Sequence, residues 1–171
     1  IGSEFFLADG LRLVLLAKNR TGYRNLTRLI TRARRAAPKG SYRLLSTDIL
    51  AAQITDCLGL LPCNPTPKIK KTLKCRYQRL EKNAVWLQQL MPGRAWISVE
   101  QPANGFDHEH LHHLQIINTR TGIPLVAAGN VHMHVRSRQK LQDTLTAIRL
   151  GMTIHEIGHR LSANAERHLR T

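Results

Sequence analysis

Acidic side chains are scarce in this sequence of 171 residues: 11 Asp and Glu stand against 26 Lys and Arg, giving a formal net charge of +15 at pH 7. A positive excess of this size favours an anionic partner, with nucleic acid as the first candidate. Aromatic residues make up only 5% of the chain, so a surface that stacks the bases of single strands is not supported. The alternative interpretation of the charge is a solvated basic face on part of a larger assembly.

Cysteine is also rare, and long apolar runs are missing. Cys57, Cys63 and Cys75 are an odd number at spacings that match no zinc or redox template, so we expect reduced thiols in the cytoplasm, with Cys57 in the core. No run approaches the roughly 18 apolar residues of a membrane span, and no signal peptide is seen. With 42% hydrophobic residues, residues 1–171 are predicted to form a single domain that has no membrane contact.

Strand-like and helix-like patterns alternate along the chain. Asp9-Gly10 predicts a hairpin turn between apolar stretches at 5–7 and 11–17. A helix with an apolar face at Tyr23, Leu26, Ile30, Ala33 and Ala37 is expected to follow. The further predictions are a short helix capped by 46–48 before the apolar run 57–61, a loop at 64–67, helices at 73–90, 107–119 and 141–150, and strands at 95–99 and 123–128. This order predicts an α/β fold with a mostly parallel sheet, either open or closed into a barrel.

Two histidines directly follow the apolar run 125–128, which stops at Gly129. His132 and His134 would therefore lie just past the carboxyl end of a buried strand. Barrels of the α/β type build their metal and catalytic sites at that end. The position makes these two imidazoles candidate functional groups.

The same segment, Gly129-Asn-Val-His-Met-His-Val-Arg-Ser-Arg138, resembles the closing part of a PHP (polymerase and histidinol phosphatase) domain. More narrowly, it resembles the PHP domain of the error-prone type of bacterial DNA polymerase III alpha subunit. The resemblance covers most of the chain and is weakest from 51 to 71. It is carried in the same order by residues 1–4, 13–17, 22–26, 29–35, 141–143, 146–149 and 166–170.

The resemblance implies a fold and a parent protein. PHP domains are distorted barrels of seven α/β units, (β/α)7, and this chain would be the later two-thirds of one. It begins inside a strand-like pattern without Met, so we expect strands before it. The resemblance implies polymerase domains after Thr171. The parent would be a DNA-directed DNA polymerase, a nucleotidyltransferase of damage repair and translesion replication, in which this part is mainly structural and packs on the remaining polymerase domains. The alternatives are a metal-dependent PHP phosphoesterase or proofreading nuclease, and a basic nucleic-acid-binding module.

The resemblance also implies positions for a cluster of divalent metals. The glutamate motif of the family falls on Glu4, and its Asp-x-His motif falls on Asn130 and His132. A Glu-Leu-His motif aligned on Glu100 places its histidine at Pro102. Asn130 offers a neutral ligand where an anionic oxygen is expected, and Pro102 offers no side-chain ligand.

These departures predict a degenerate site. What remains as a metal-binding remnant is Glu4 and His132, with His134 as a possible helper. We expect no catalytic residue and no cofactor in this chain. A divalent ion (Mn, Zn or Mg) would be present only if the remnant still binds one.

Two other histidine patterns resemble metal sites. His155-Glu-Ile-Gly-His159 fits the His-Glu-x-x-His pattern of zinc proteases. Gly158 within it lowers helix propensity, and a third ligand at a suitable distance is missing, which argues against zinc. A group of four histidines between 108 and 113 is predicted to be a solvated helix face, with Leu111 and Leu114 on the buried side and Asp107 as a candidate N-cap.

Two groups of basic residues are candidate contacts to nucleic acid through backbone phosphates. The first is crowded on one helix and its end: Arg28, Arg32, Arg34, Arg35 and Lys39. The second is Lys68, Lys70, Lys71, Lys74 and Arg76. Such contacts would depend on salt and be indifferent to base sequence.

Overall fold

The computed structural model describes residues 1–63 and 70–170, with the backbone alone for 70–74. The strands are β1 Gly2–Phe6, β2 Arg12–Ala17, β3 Cys57–Cys63, β4 Ala95–Val99 and β5 Leu125–Ala127. The helices are α1 Arg20–Arg35, α2 Ser46–Ala51, α3 Lys70–Leu90, α4 Asp107–Thr121, α5 Gln139–Leu150 and α6 Ile154–Ile157, with 3-10 turns at 136–138 and 158–160. The loop predicted at 64–67 lies outside the described residues, as do the side chains of Lys68, Lys70, Lys71 and Lys74.

The described strands form one sheet in the order β1-β2-β3-β4-β5. β1 and β2 pair antiparallel, as do β2 and β3, whereas β3 pairs parallel to β4 and β4 parallel to β5. Four strands therefore share one direction and β2 alone is reversed. The carboxyl ends of β1, β3, β4 and β5 and the amino end of β2 meet at one edge, called here the carboxyl edge. The predicted α/β fold is confirmed, and the open sheet is consistent with part of a distorted barrel.

The predicted hairpin between β1 and β2 is present. Gly10 has a φ of +84°, a backbone conformation that glycine adopts without steric cost. Its N–H donates to the carbonyl of Leu7 at 2.9 Å, and the Leu7 N–H donates to the carbonyl of Leu11 at 2.8 Å. The turn fixes the register in which Glu4 is opposite Val14 and Phe6 is opposite Arg12.

One face of the sheet carries the hydrophobic core. Leu13, Leu15, Leu61 and Ile97 point from it and are almost completely buried, and Cys57 is buried as expected. The helices α1, α3 and α4 cover this face with the buried side chains Leu26, Leu29, Leu87, Leu114 and Ile117, and Met91 adds to the core directly after α3. Each large side chain buried here stabilises the fold by about 1.5–3 kcal/mol.

The opposite face, called here the open face, is only partly covered. Because side chains alternate along a strand, every second residue of β2, β3 and β4 points to the open face and the others point to the core. On the open face, the apolar, half-buried side chains are those of Val14, Leu16, Leu58, Leu60 and Trp96. In the described sheet, β1 and β5 are the outer strands, so each pairs with a neighbour on one side.

Helix α1 begins at a close approach of two backbone segments. Asn19 caps the helix, and its Oδ1 accepts the N–H of Gly22 at 3.0 Å. A Cβ on Gly22 would lie 2.0 Å from the carbonyl oxygen of Asp56. The buried positions of the helix are Gly22, Leu26, Leu29 and Ala33.

The predicted apolar face of α1 is therefore only partly correct. Leu26 and Ala33 are buried, and Ile30 packs against the core. Tyr23 was placed on this face wrongly, since 46% of its surface is exposed. Within the described residues, no helix is both long and apolar enough to cross a membrane.

The close approach at Gly22 gives a stability prediction. Gly22→Ala is expected to lower the free energy of unfolding by about 1–3 kcal/mol, because the added methyl group would overlap the carbonyl of Asp56. Urea unfolding followed by circular dichroism measures the change. Thr21→Ala, on the exposed side of the same turn, is the control and should change stability by less than about 0.5 kcal/mol. Equal midpoints for the two variants would contradict the predicted overlap.

Candidate functional site

Five polar residues from separate parts of the sequence lie together at the carboxyl edge and form what is called here the edge cluster. Glu4 lies in β1, Arg12 begins β2, Glu100 follows β4, and Asn130 and His132 follow β5. The hairpin register makes Glu4 and Arg12 diagonal neighbours on the open face, within reach of long side chains. The edge is the position where α/β folds place their ligand-binding groups.

Arg12 lies at the centre of the edge cluster. Its Nε donates to Oε1 of Glu4, and its Nη1 lies 4.0 Å from Oε1 of Glu100. The guanidinium carbon is also 5.5 Å from the centroid of the Phe6 ring, a distance at which a cation is attracted to the aromatic face. The side chain of Glu100 is only 5% exposed, so Arg12 partly neutralises a buried carboxylate.

Asn130 is the second partner of Glu100. Its Nδ2 donates to Oε2 of Glu100 at 2.9 Å. The backbone of Asn130 has a φ of +42°, in the left-handed region that asparagine tolerates better than most residues. The amide therefore presents its donor, and not its oxygen, to the neighbouring carboxylate.

His132 and His134 lie on either side of the buried Met133, and both are exposed. Partial burial lowers the pKa of His132, and the positive charges of Arg167, Arg12 and Arg149 lower it further, against the opposing effect of Glu4. The lowered pKa favours the neutral imidazole at pH 7.

The residues of the edge cluster do not fit the divalent metals that the PHP resemblance implies. The guanidinium of Arg12 lies between the two carboxylates, and Asn130 turns a donor towards one of them. The carbonyl of Pro102 accepts a hydrogen bond from Asn164 at 2.7 Å. In the part of the chain that the structure describes, no group of three or more His, Cys, Asp or Glu residues could hold a metal ion. The remnant of Glu4, His132 and His134 stays a prediction.

A surface cavity of about 620 Å³ adjoins the edge cluster. Its walls come from the ends of β4 and β5 and from the C-terminal tail at 166–170. The apolar floor includes Val99, Leu125 and Val126, and the rim carries charge. On that rim Glu166 pairs with Arg136 at 3.1 Å and with Arg170 at 3.2 Å.

The basic residues of α1 divide between two sides of the helix. Arg28, Arg32 and Arg35 line one shallow groove, and Arg32 pairs there with Asp48 at 3.5 Å. Arg34 lies apart from them, with its guanidinium 5.6 Å from the Tyr42 ring centroid. Lys39, also expected in this group, is exposed in the loop after the helix.

Two further arginines, not expected as part of this group, lie nearer the start of α1. Arg20 and Arg24 are exposed and precede Arg28 at four-residue intervals, which places them on the same side of the helix. This spacing was the signal that could have identified them. We call Arg20, Arg24, Arg28, Arg32 and Arg35 the basic row.

The histidine-rich segment on α4 differs from the expected solvated face. His108 and His112 are exposed, but His110 is only 2% exposed. Its Nε2 donates to the carbonyl of Cys63 and its Nδ1 accepts from the hydroxyl of Tyr77, both at 2.8 Å. The prediction failed for His110 because α4 buries His110, Leu114 and Ile117, a spacing of four and three that was visible in the sequence.

The contacts of His110 set its protonation state. A carbonyl can only accept, so Nε2 carries a hydrogen. In the neutral ring, Nδ1 then accepts from the hydroxyl of Tyr77. Burial lowers the pKa of His110, and burial also raises the pKa of Tyr77 to about 12. Asp107 is the first helical residue and not the cap, since Phe106 occupies the cap position without a side-chain bond.

The His-Glu-x-x-His pattern forms no helix that could hold zinc. α6 ends at Ile157, and Gly158 has a φ of +50°. Glu156, the would-be base, accepts from the N–H and hydroxyl of Thr153 at 2.9 and 2.8 Å, as a helix cap. His155 and His159 are both exposed.

The buried histidine predicts a pH dependence of stability. Because the pKa of folded His110 is below its ordinary 6.5, the unfolded state binds more protons as the pH falls below about 6.5. The free energy of unfolding should therefore decrease from pH 7 to pH 5, and His110→Gln should reduce this decrease. Urea unfolding at several pH values measures it.

The exposed His108 supplies the matched control. His108→Gln should keep the pH dependence of the original chain. If His110→Gln keeps it as well, His110 is not the group whose protonation destabilises the fold.

This chain is similar to error-prone DNA polymerases of several bacteria. The chain is 46% identical over 170 residues to the error-prone DNA polymerase of Methylococcus capsulatus, with 99% of this chain and 15% of that protein covered. It is 43% identical over 175 residues to the error-prone DNA polymerase of Dechloromonas aromatica, with 100% of this chain and 16% of that protein covered. It is 45% identical over 170 residues to the error-prone DNA polymerase of Pseudomonas fluorescens, with 99% of this chain and 15% of that protein covered. No protein-family model matches the chain. The chain thus resembles, along its whole length, a segment of error-prone DNA polymerases that is about 15% of their length.

Proposed function

We propose that this chain is the later two-thirds of the PHP domain of an error-prone bacterial DNA polymerase of the III alpha type, and that its role there is mainly structural. The observation that carries the proposal is the 41–46% identity to error-prone DNA polymerases across 99–100% of the chain. The parent activity would be template-directed DNA synthesis in damage repair and translesion replication, in the cytoplasm of a bacterium. The catalytic groups for nucleotide transfer would lie in other domains.

The open face of the sheet supports a structural role. Its apolar side chains, which include Leu60 and Trp96, are half-buried in this chain. Further burial of such side chains is favourable, at about 25 cal/mol for each Å² removed from water. The remaining domains of the parent polymerase are the partner that we propose for this face.

Helix α5 carries a second apolar surface. Leu141, Leu145 and Ile148 follow one another at spacings of four and three, and their exposed fractions are 50%, 53% and 71%. Contiguous exposed apolar residues of this kind mark an interface. We propose that the same polymerase domains cover it.

The edge cluster argues against the phosphoesterase alternative. Hydrolysis of a phosphoester by a metal centre needs ions that activate water and clamp the phosphate. Here Arg12 pairs with Glu4 and lies close to Glu100. The carboxylates that would bind such ions are thus engaged with a protein cation.

The basic row supports contact with DNA. The sequence of α1 contains no acidic residue, and arginines at four-residue intervals repel one another, which costs helix stability. Arg24, Arg28 and Arg35 have no ion-pair partner within the described residues. Phosphates of duplex DNA would neutralise this charge, and we propose them as the ligand.

A domain exchange tests the structural role. The corresponding segment of the Methylococcus capsulatus polymerase is replaced with this chain, and primer extension is measured on an undamaged and a damaged template. We expect the chimera to retain most of its extension activity, because the 46% identity preserves the packing surfaces. A chimera that is folded but extends no primer would contradict the proposal.

The matched variant of this chimera carries Leu141→Ser, Leu145→Ser and Ile148→Ser. Each change removes about 1.5–3 kcal/mol of burial energy if the polymerase covers α5. The thermal midpoint of the chimera should then fall, and extension with it. An unchanged midpoint would show that this surface of α5 remains exposed.

Binding to duplex DNA tests the basic row in the chain itself. Replacing Arg24, Arg28 and Arg35 with Gln leaves the Arg32–Asp48 pair intact. The slope of log affinity against log salt should decrease by about 0.9 for each lost phosphate contact, to the same extent for any DNA sequence. Fluorescence anisotropy at several salt concentrations measures the slope.

The control removes the same charge elsewhere, with Arg120, Arg138 and Arg149 replaced by Gln. These residues are exposed and lie on other elements. For the control variant, the slope of log affinity for DNA against log salt should be nearly that of the original chain. If both triple variants lose equal affinity, the total charge and not the basic row determines binding.

A further inference from the structure

We propose that Arg12 is the built-in cation of the edge cluster, held between Glu4 and Glu100 where the PHP resemblance implies divalent metal. The carboxyl edge is then stabilised by ion pairing within the chain and does not require a metal ion. This inference concerns the contacts of five residues and is independent of the polymerase proposal. Its test measures unfolding and metal binding, so its failure is distinguishable from failure of the proposed function.

The first argument is the geometry of the guanidinium. Two of its nitrogen atoms lie beside carboxylates from separate parts of the chain, with Nε bonded to Glu4 in β1 and Nη1 4.0 Å from Glu100 after β4. A guanidinium presents five donors in a rigid plane, so one arginine can serve two anions at once. A divalent ion at the same place would make the same connection through carboxylate oxygens.

The second argument is the burial of Glu100. The residue is only 4% exposed, and a buried carboxylate is costly unless it is paired and hydrogen-bonded. Both oxygens have a positive or donating neighbour: Oε1 faces Arg12 and Oε2 accepts from Asn130. The chain thereby supplies the compensation that a metal would otherwise give.

The third argument is competition for the same oxygens. Ions such as Mg²⁺ need carboxylate oxygens at about 2.0–2.1 Å. Oε1 of Glu4 already accepts from Arg12, and Oε2 of Glu100 from Asn130. An entering ion would have to displace the guanidinium and would meet its positive charge.

Thermal unfolding of the chain with and without Mn²⁺ tests the proposal. The original chain should have the same midpoint in 1 mM MnCl₂ as in chelator. Arg12→Gln should lower the midpoint by about 6 °C or more, since it leaves a buried carboxylate unpaired. Mn²⁺ should raise the midpoint of Arg12→Gln, because the freed carboxylates can then bind it.

Two further variants keep the test decisive if Arg12→Gln does not fold. Arg12→Gln/Glu100→Gln removes both charges and should be more stable than Arg12→Gln. Arg12→Lys keeps the charge but not the planar fork. Its midpoint should fall by less than that of Arg12→Gln and should not respond to Mn²⁺. A Mn²⁺-induced rise in the original chain, or an Arg12→Gln variant as stable as the original, would overturn the proposal. A double variant that is less stable than both Arg12→Gln and Arg12→Lys would also overturn the proposal.

Discussion

The reversed direction of β2 is the constraint on which the edge cluster depends. Because β2 runs against its neighbours, its first residue, Arg12, lies at the edge where the other strands end. A parallel β2 would place that position at the opposite edge of the sheet. The tight turn at Gly10 is what makes the reversal possible, since two strands joined by a short hairpin must be antiparallel. A local turn in the sequence thus determines the charge balance of a site built by distant residues.

Much of the fold could be predicted because it follows from local patterns. The hairpin at Asp9-Gly10, the strand at 95–99 and helices close to those observed were visible as turn residues and hydrophobic periods. Errors arose where tertiary contacts decide. Tyr23 is exposed because α1 buries its neighbour Gly22, which lies against the carbonyl of Asp56. The burial of His110 matches a spacing visible in the sequence, but its hydrogen-bond partners Tyr77 and Cys63 are distant along the chain. Such long-range contacts cannot be found from periodicity alone.

The edge cluster could be predicted only in part, and the reason differs from that for the helices. Motif positions brought Glu4, Glu100, Asn130 and His132 to attention, and the structure brings them to one edge. Arg12 was missed because it belongs to no motif: its role depends on the diagonal β1–β2 register and on the approach of Glu100 from β4. Loss of ligands in a sequence indicates what a site no longer does. Which residue replaces the lost ligands depends on the side chains that the fold brings close together.

The outer position of β5 has a consequence for how this sheet can be extended. A strand with a neighbour on one side presents backbone N–H and C=O groups on the other side, which bond either to water or to another strand. In the described sheet β5 is such a strand. Bonds between main chains do not depend on the identity of side chains. A strand added beside β5 would therefore be held by an attachment that tolerates extensive sequence divergence, unlike the side-chain contacts of the edge cluster.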